Sequence, residues 1–165
     1  MTPAGLVFTH PSSREHDPGQ HLPEHPDTPE RIEVIEAALT GLNWLGWEQR
    51  TARSASSNEL QAVHDPAMID RITELAAGGG GAIDADTFVG PASARAAYHA
   101  SGGACDMARA LLAGEVPVAF TAVRPSGHHA ERSRSMGFCL FNNVAVAAQL
   151  AISEFGVERI FVLDV

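Results

Sequence analysis

The 165 residues include 20 acidic and 11 basic side chains, a formal net charge of −9, and 45% are apolar. That length suits one domain with a real core, and the acid excess argues against sequence-independent nucleic-acid binding, which needs a basic face. Two cysteines, Cys105 and Cys139, make no disulfide framework. There is neither a basic-then-apolar leader nor an apolar run of about 18 residues, so a cytoplasmic protein is expected, without membrane or nucleic-acid partners.

The elements follow in chain order. Gly5 to His10 reads as a short strand. A loop rich in Pro, His, Asp and Ser covers Pro11 to Asp27. Thr28 is placed to cap a helix with Pro29 at its first position, where a missing N–H costs nothing. Ile32, Ile35, Leu39 and Leu42 then form an apolar stripe at helical spacing. Trp47 to Thr51 suits a second short strand. Ser56 and Glu59 have the spacing of a capping box. His64-Asp65-Pro66 breaks that helix, and another follows with Met68, Ile69, Ile72 and Leu75. Gly78 to Gly81 is a flexible connection; it lacks the Lys-Ser/Thr of a phosphate loop, which argues against a nucleotide site. Pro91 and Ser93 open a long helix through Ala113, rich in small residues that permit close packing. Val118 to Val123 is a strand. A helix from about Asn142 to Phe155 ends at Gly156. Arg159 to Val165 reads as a buried strand, and its position suggests the N-terminal part of a longer protein. Strands alternating with helices predict an α/β fold, a parallel sheet with helices on both faces.

Between the Val118–Val123 strand and the last helix lies Arg124-Pro125-Ser126-Gly127-His128-His129-Ala130, then Met136-Gly137-Phe138-Cys139-Leu140-Phe141-Asn142-Asn143. Two adjacent imidazoles thus sit at the carboxyl end of a strand, where open α/β sheets build their sites. Histidine is suited to proton transfer at neutral pH, and neighbouring imidazoles influence each other's charge.

This double block resembles the histone deacetylase superfamily, in its class II and bacterial deacetylase-like branch, which includes acetylpolyamine amidohydrolases. His25-Pro26 with Pro29-Glu30-Arg31, then His64-Asp65-Pro66, Asp86-Thr87 and Leu163-Asp164-Val165 extend the resemblance in order along the chain. The resemblance implies an arginase/deacetylase-like fold, of which residues 1–165 are the N-terminal part of a single catalytic domain. It implies zinc-dependent hydrolysis of an N-acyl amide of lysine or a polyamine, the metal polarising the carbonyl and the water. By resemblance, His129 is the general base and then the acid, and His128 orients the water and stabilises developing charge. Asp164 pairs with His128 and contributes to a monovalent-cation (K+) site. Gly137 and Phe138 line the acyl-lysine tunnel, Asp86 (with Asp84 as its competitor) holds the substrate at the rim, and Arg31 lines an internal channel.

One departure matters. The family's zinc ligands and catalytic tyrosine fall after the Leu-Asp-Val motif, and Tyr98 does not match that tyrosine. None of the expected ligands is therefore among these residues, and the chain alone is expected to be inactive. A second metal hypothesis uses His16, His21 and His25, against solvated loop histidines. His10, His64 and His99 read as structural, Cys139 as a buried inert thiol, and Asn142 and Asn143 as capping and loop-fixing groups. The alternative to the enzyme is a non-catalytic α/β module that binds acylated amines or a protein partner.

Overall fold

The computed structural model describes residues 3–164. Strand β1 (Leu6–Thr9) lies at the centre of a three-stranded sheet, flanked by β2 (Glu48–Thr51) and β5 (Ala119–Ala122). Both pairings are parallel: Leu6 registers with Glu48 on one side and Ala119 on the other. Successive side chains of a strand face opposite ways, yet Leu6, Val7 and Phe8 are all buried. The central strand is therefore covered on both faces. Leu6 and Phe8 pack with Ala110 and Val116, against the end of helix α4 (Ser93–Leu112).

Helix α4 packs along α5 (Asn143–Phe155). Ala94, Ala97, Ala100, Gly102, Gly103 and Ala104 are buried along α4, as its small-residue composition predicts. Leu140, Phe141, Val146 and Leu150 fill the main core beside Cys105, Tyr98 and the apolar face of α3 (Pro66–Ala77). The capping box forms: Ser56 Oγ accepts the Glu59 N–H at 3.3 Å, and Glu59 accepts the Ser56 N–H at 2.7 Å, opening α2 (Ser57–Gln61). Gly156 ends α5 in the left-handed region.

Three expectations are corrected. The connection after α3 is a small antiparallel hairpin, β3 (Gly81–Ala82) and β4 (Phe88–Val89), whose turn carries Asp84 and Asp86. Strands of two residues are too short to leave an alternating pattern in the sequence. Helix α1 (Glu30–Gly41) forms, but Pro29 rather than Thr28 stands at the cap position, with no side-chain cap bond, and only Ile32 of its predicted stripe is buried. Ile35 and Leu42 are exposed, because no element among the described residues covers that face. Finally, residues 157–164 form no strand, and Ile160, Phe161, Val162 and Leu163 are all exposed; Val165 lies outside the described residues. The segment makes no pairing with β5, and β propensity without a partner ladder does not make a strand. No helix among the described residues is long and apolar enough to cross a membrane.

Candidate active site

The His-His loop leaves β5 and is pinned at each end by buried groups. At its start, the Arg124 guanidinium is buried and fully engaged. It donates to the carbonyls of Ser13 (3.0 Å), His16 (2.9 Å) and Asp27 (2.8 Å), and pairs with Asp27 Oδ1 at 2.9 Å. Asp27 also accepts from Arg31 at 2.8 Å and faces His16 Nε2 at 3.4 Å. Burial pushes the Asp27 carboxyl up, but His16 and Arg124 outweigh it and hold the group at about 2. Burial pushes the His16 imidazole down, so it stays neutral at pH 7.

At its far end, the loop is held by His64. This buried imidazole donates from Nδ1 to the Glu131 carbonyl at 2.9 Å and accepts the Asn142 N–H at Nε2, also at 2.9 Å. The Asp65 N–H donates to the Arg132 carbonyl beside it. Asn142 Oδ1 caps α5 by accepting the Ala145 N–H, while its amide donates to the Ala130 carbonyl at 2.9 Å. Asn143 donates to the Pro125 carbonyl at 3.2 Å. Gly127 packs where a Cβ would stand 2.5 Å from both the Asn143 nitrogen and the Phe141 oxygen, so no larger residue fits.

Between these anchors, His128 and His129 are exposed, with ring centroids 4.1 Å apart. His129 lines an open cavity of ≈350 Å³ together with Asp84, Asp86, Arg134, Met136 and Gly137. Residues 136–139 form a tight turn in which Met136 and Cys139 exchange both backbone hydrogen bonds. Its two central residues have positive φ, 57° at Gly137 and 66° at Phe138, as in a type I′ turn. Glycine accepts this readily; it also packs against His129, where an added Cβ would lie 2.7 Å from the ring. Phe138 is held in the costlier conformation by its N–H bond to Thr87 Oγ1 (3.1 Å) and by an edge contact with His25, centroids 4.7 Å apart.

His25 is not solvated. It donates from Nε2 to the Asp86 carbonyl at 2.8 Å and accepts the Asp27 N–H at Nδ1. His16 instead bonds Ser93 Oγ at 2.7 Å, and His21 lies over Phe88. His16 and His25 are buried and spent on packing and tautomer-fixing bonds, which corrects both the metal-set and the solvated readings for these two; His21 is exposed, as the solvated reading has it. Among the described residues no three His, Cys, Asp or Glu side chains converge to hold a metal ion. His10 and His99 stack on each other, centroids 3.4 Å apart. Cys105 and Cys139 are buried, and burial pushes the Cys105 thiol up to about 12.

The structure thus gathers His129, Gly137 and Asp86 on one cavity, with His128 against His129 and Phe138 behind the wall. It does not gather Arg31 or Asp164. Arg31 lines a separate cavity of ≈150 Å³ with Ile32, Phe120, Ala122 and Arg124. Asp164 is exposed on the C-terminal segment, joined to His128 by no hydrogen bond or ion pair. Sequence reasoning overlooked Asp27 and Thr87. Asp27 stands directly after the quoted His25-Pro26, and Thr87 was quoted only as the neighbour of Asp86.

A histone deacetylase domain model matches residues 25–165. The chain belongs to the histone deacetylase family. It is 41% identical over 115 residues to the histone deacetylase-like amidohydrolase of Pseudomonas aeruginosa, covering 70% of this chain and 30% of that protein. It is 39% identical over 121 residues to the human polyamine deacetylase HDAC10, covering 69% of this chain and 18% of that one. The crystal structure of the HDA15 HD domain superposes with a TM-score of 0.87 at 34% identity, over 93% of this chain and 44% of that chain. The chain therefore spans less than half the length of these relatives. The fold is the arginase/deacetylase-like α/β fold, and deacetylase or amidohydrolase chemistry is the family's activity. The family is in general zinc-dependent, but the described residues supply no donor set for that metal.

Proposed function

We propose that residues 1–165 are the N-terminal part of a single catalytic domain whose protein, with zinc bound, hydrolyses an N-acyl amide of a lysine side chain or a polyamine. The observation that carries this reading is His129 on the cavity wall beside Gly137, with the Asp86 turn on the same cavity and the His128 ring 4.1 Å away. Because no metal site is formed by the described residues, the roles assigned are confined to this chain's own groups. His129 takes a proton from the attacking water and delivers it to the leaving nitrogen as the C–N bond breaks; the products are a carboxylate and an amine. His128 polarises the water from the neighbouring position. Gly137 and Phe138 flank the aliphatic stem of the substrate, and Asp86 accepts a donor group at the rim. Arg31 belongs to an exit channel, and Asp164 to a partner for His128 and a K+ site; these two assignments rest on the family motif alone. Both cysteines are buried free thiols, which suits a reducing cytoplasm.

The experiment is turnover of an acetyl-lysine peptide and an acetylated polyamine. In the active protein, His129→Ala should lower kcat by roughly 10²–10⁴-fold with the circular dichroism spectrum and melting curve unchanged. Wild-type rates in that variant remove His129 from the chemistry. The 165-residue chain, purified with added zinc, should be inactive; His129-dependent turnover by it would overturn the division of labour proposed here.

A further inference from the structure

We propose that Thr87 is a positioning residue that makes the candidate site selective for acylated amines carrying a second positive charge. The inference rests on the deacylase reading above and goes to a residue that reading does not use. Thr87 is fully buried, and its hydroxyl has a single proton to give. The proton goes to Asp86 Oδ1 at 2.9 Å, which leaves the oxygen to accept the Phe138 N–H at 3.1 Å. One hydroxyl therefore joins the rim carboxylate to the turn that packs on His129. Three further bonds fix the same unit. His25 donates to the Asp86 carbonyl, the Asp86 N–H donates to Asp84 Oδ1 at 3.1 Å, and the Ile83 N–H donates to the Thr87 carbonyl at 2.8 Å. Asp86 Oδ2 accepts no hydrogen bond from an N–H or O–H of the described residues, and the cavity it lines also holds His129, the neighbouring carboxylate Asp84 and Arg134, which lies 3.9 Å from Asp84. Oriented this way, the carboxylate offers an acceptor to a cationic nitrogen lying beyond the amide. If it were free to rotate, that preference would weaken, because a charge-assisted bond depends on geometry.

The test compares binding of N-acetyl-1,4-diaminobutane with its neutral isostere N-pentylacetamide, by titration calorimetry on the same active protein used for the turnover assay. Wild type should prefer the cationic probe. Thr87→Val should weaken that probe about tenfold, a loss of the size expected for a misdirected charge-assisted bond, and leave the neutral probe within about twofold. Thr87→Ser should restore the preference. In an Asp86→Asn background, Thr87→Val should add nothing. Equal losses for both probes, an unchanged Thr87→Val, or a loss that persists with Asp86→Asn each overturn the inference. If Thr87→Val does not fold, Thr87→Ala takes its place. A wild type that binds neither probe removes the deacylase reading itself. A wild type that prefers the cation while Thr87→Val matches it removes only the role of Thr87.

Discussion

The His-His loop and the C-terminal segment make an instructive pair. Residues 124–142 have no regular secondary structure beyond a single bridge, yet Arg124, His64, Thr87 and Asn142 give the loop partners on every side. Residues 159–163 read as a near-perfect strand, yet they stand in solvent with Phe161 86% exposed. Order follows from partners rather than from propensity. An irregular backbone anchored at both ends by hydrogen bonds to buried side chains is held more firmly than a β-prone run with no neighbouring edge.

The largest expected effect strikes the anchored region. Asp27→Ala leaves the buried Arg124 guanidinium without its carboxylate, which typically costs about 3–5 kcal/mol. Urea denaturation of the variant should show that loss; a change under about 1 kcal/mol would mean that the carbonyls of Ser13, His16 and Asp27 hold Arg124 unaided. Next comes His64→Ala. It strands the Glu131 carbonyl and the Asn142 N–H and should cost about 2–3 kcal/mol. Hydrogen exchange at the Asn142 amide should speed up in step, and unaltered protection would show that His64 is not the far anchor.

A pH titration sharpens the same comparison. Burial lowers the proton affinity of His16 and His64 in the folded state, so the unfolded chain binds more protons once the pH drops below their ordinary value of about 6.5. Stability is therefore full above that pH and falls as it is lowered through 6.5 towards 5. Asp27, held at about 2, contributes stability that is complete above its unfolded value near 4 and lost as pH falls towards 2. Melting temperatures between pH 8 and pH 2 should decline in these two windows. A flat profile from pH 7 to pH 5 would contradict the neutral, buried assignment of the histidines. The smallest effect belongs to the terminal segment: Phe161→Ser should change the melting stability of this chain by less than about 0.5 kcal/mol. A loss of 2 kcal/mol or more would show that the segment is docked in solution.

Much of the site was legible because its chemistry is local. His128-His129 and the Gly137-Phe138 block lie within a few residues of each other in one motif, although the tight turn at Gly137 appears only in the structure. Thr87 and Asp27 were overlooked because their roles exist only across the fold. Thr87 reaches 51 positions along the chain to Phe138, and Asp27 reaches 97 to Arg124. The histidine-rich loop misled for the same reason. Spacings of five and four say nothing of whether an imidazole will meet Ser93, Phe88 or the Asp86 carbonyl instead of a metal.

By itself the sequence determined the family motif, the alternation of strands and helices, the Ser56 capping box and the stop at Gly156, all of them short-range features of side-chain type and spacing. Tertiary structure alone decided that Arg31 and Asp86 line different cavities, that Asp27 joins a buried ion-pair network, and that the terminal apolar run stays unpaired. The reason is physical. Burial and long-range pairing depend on which surfaces meet, and that is a property of the assembled chain rather than of any window along it.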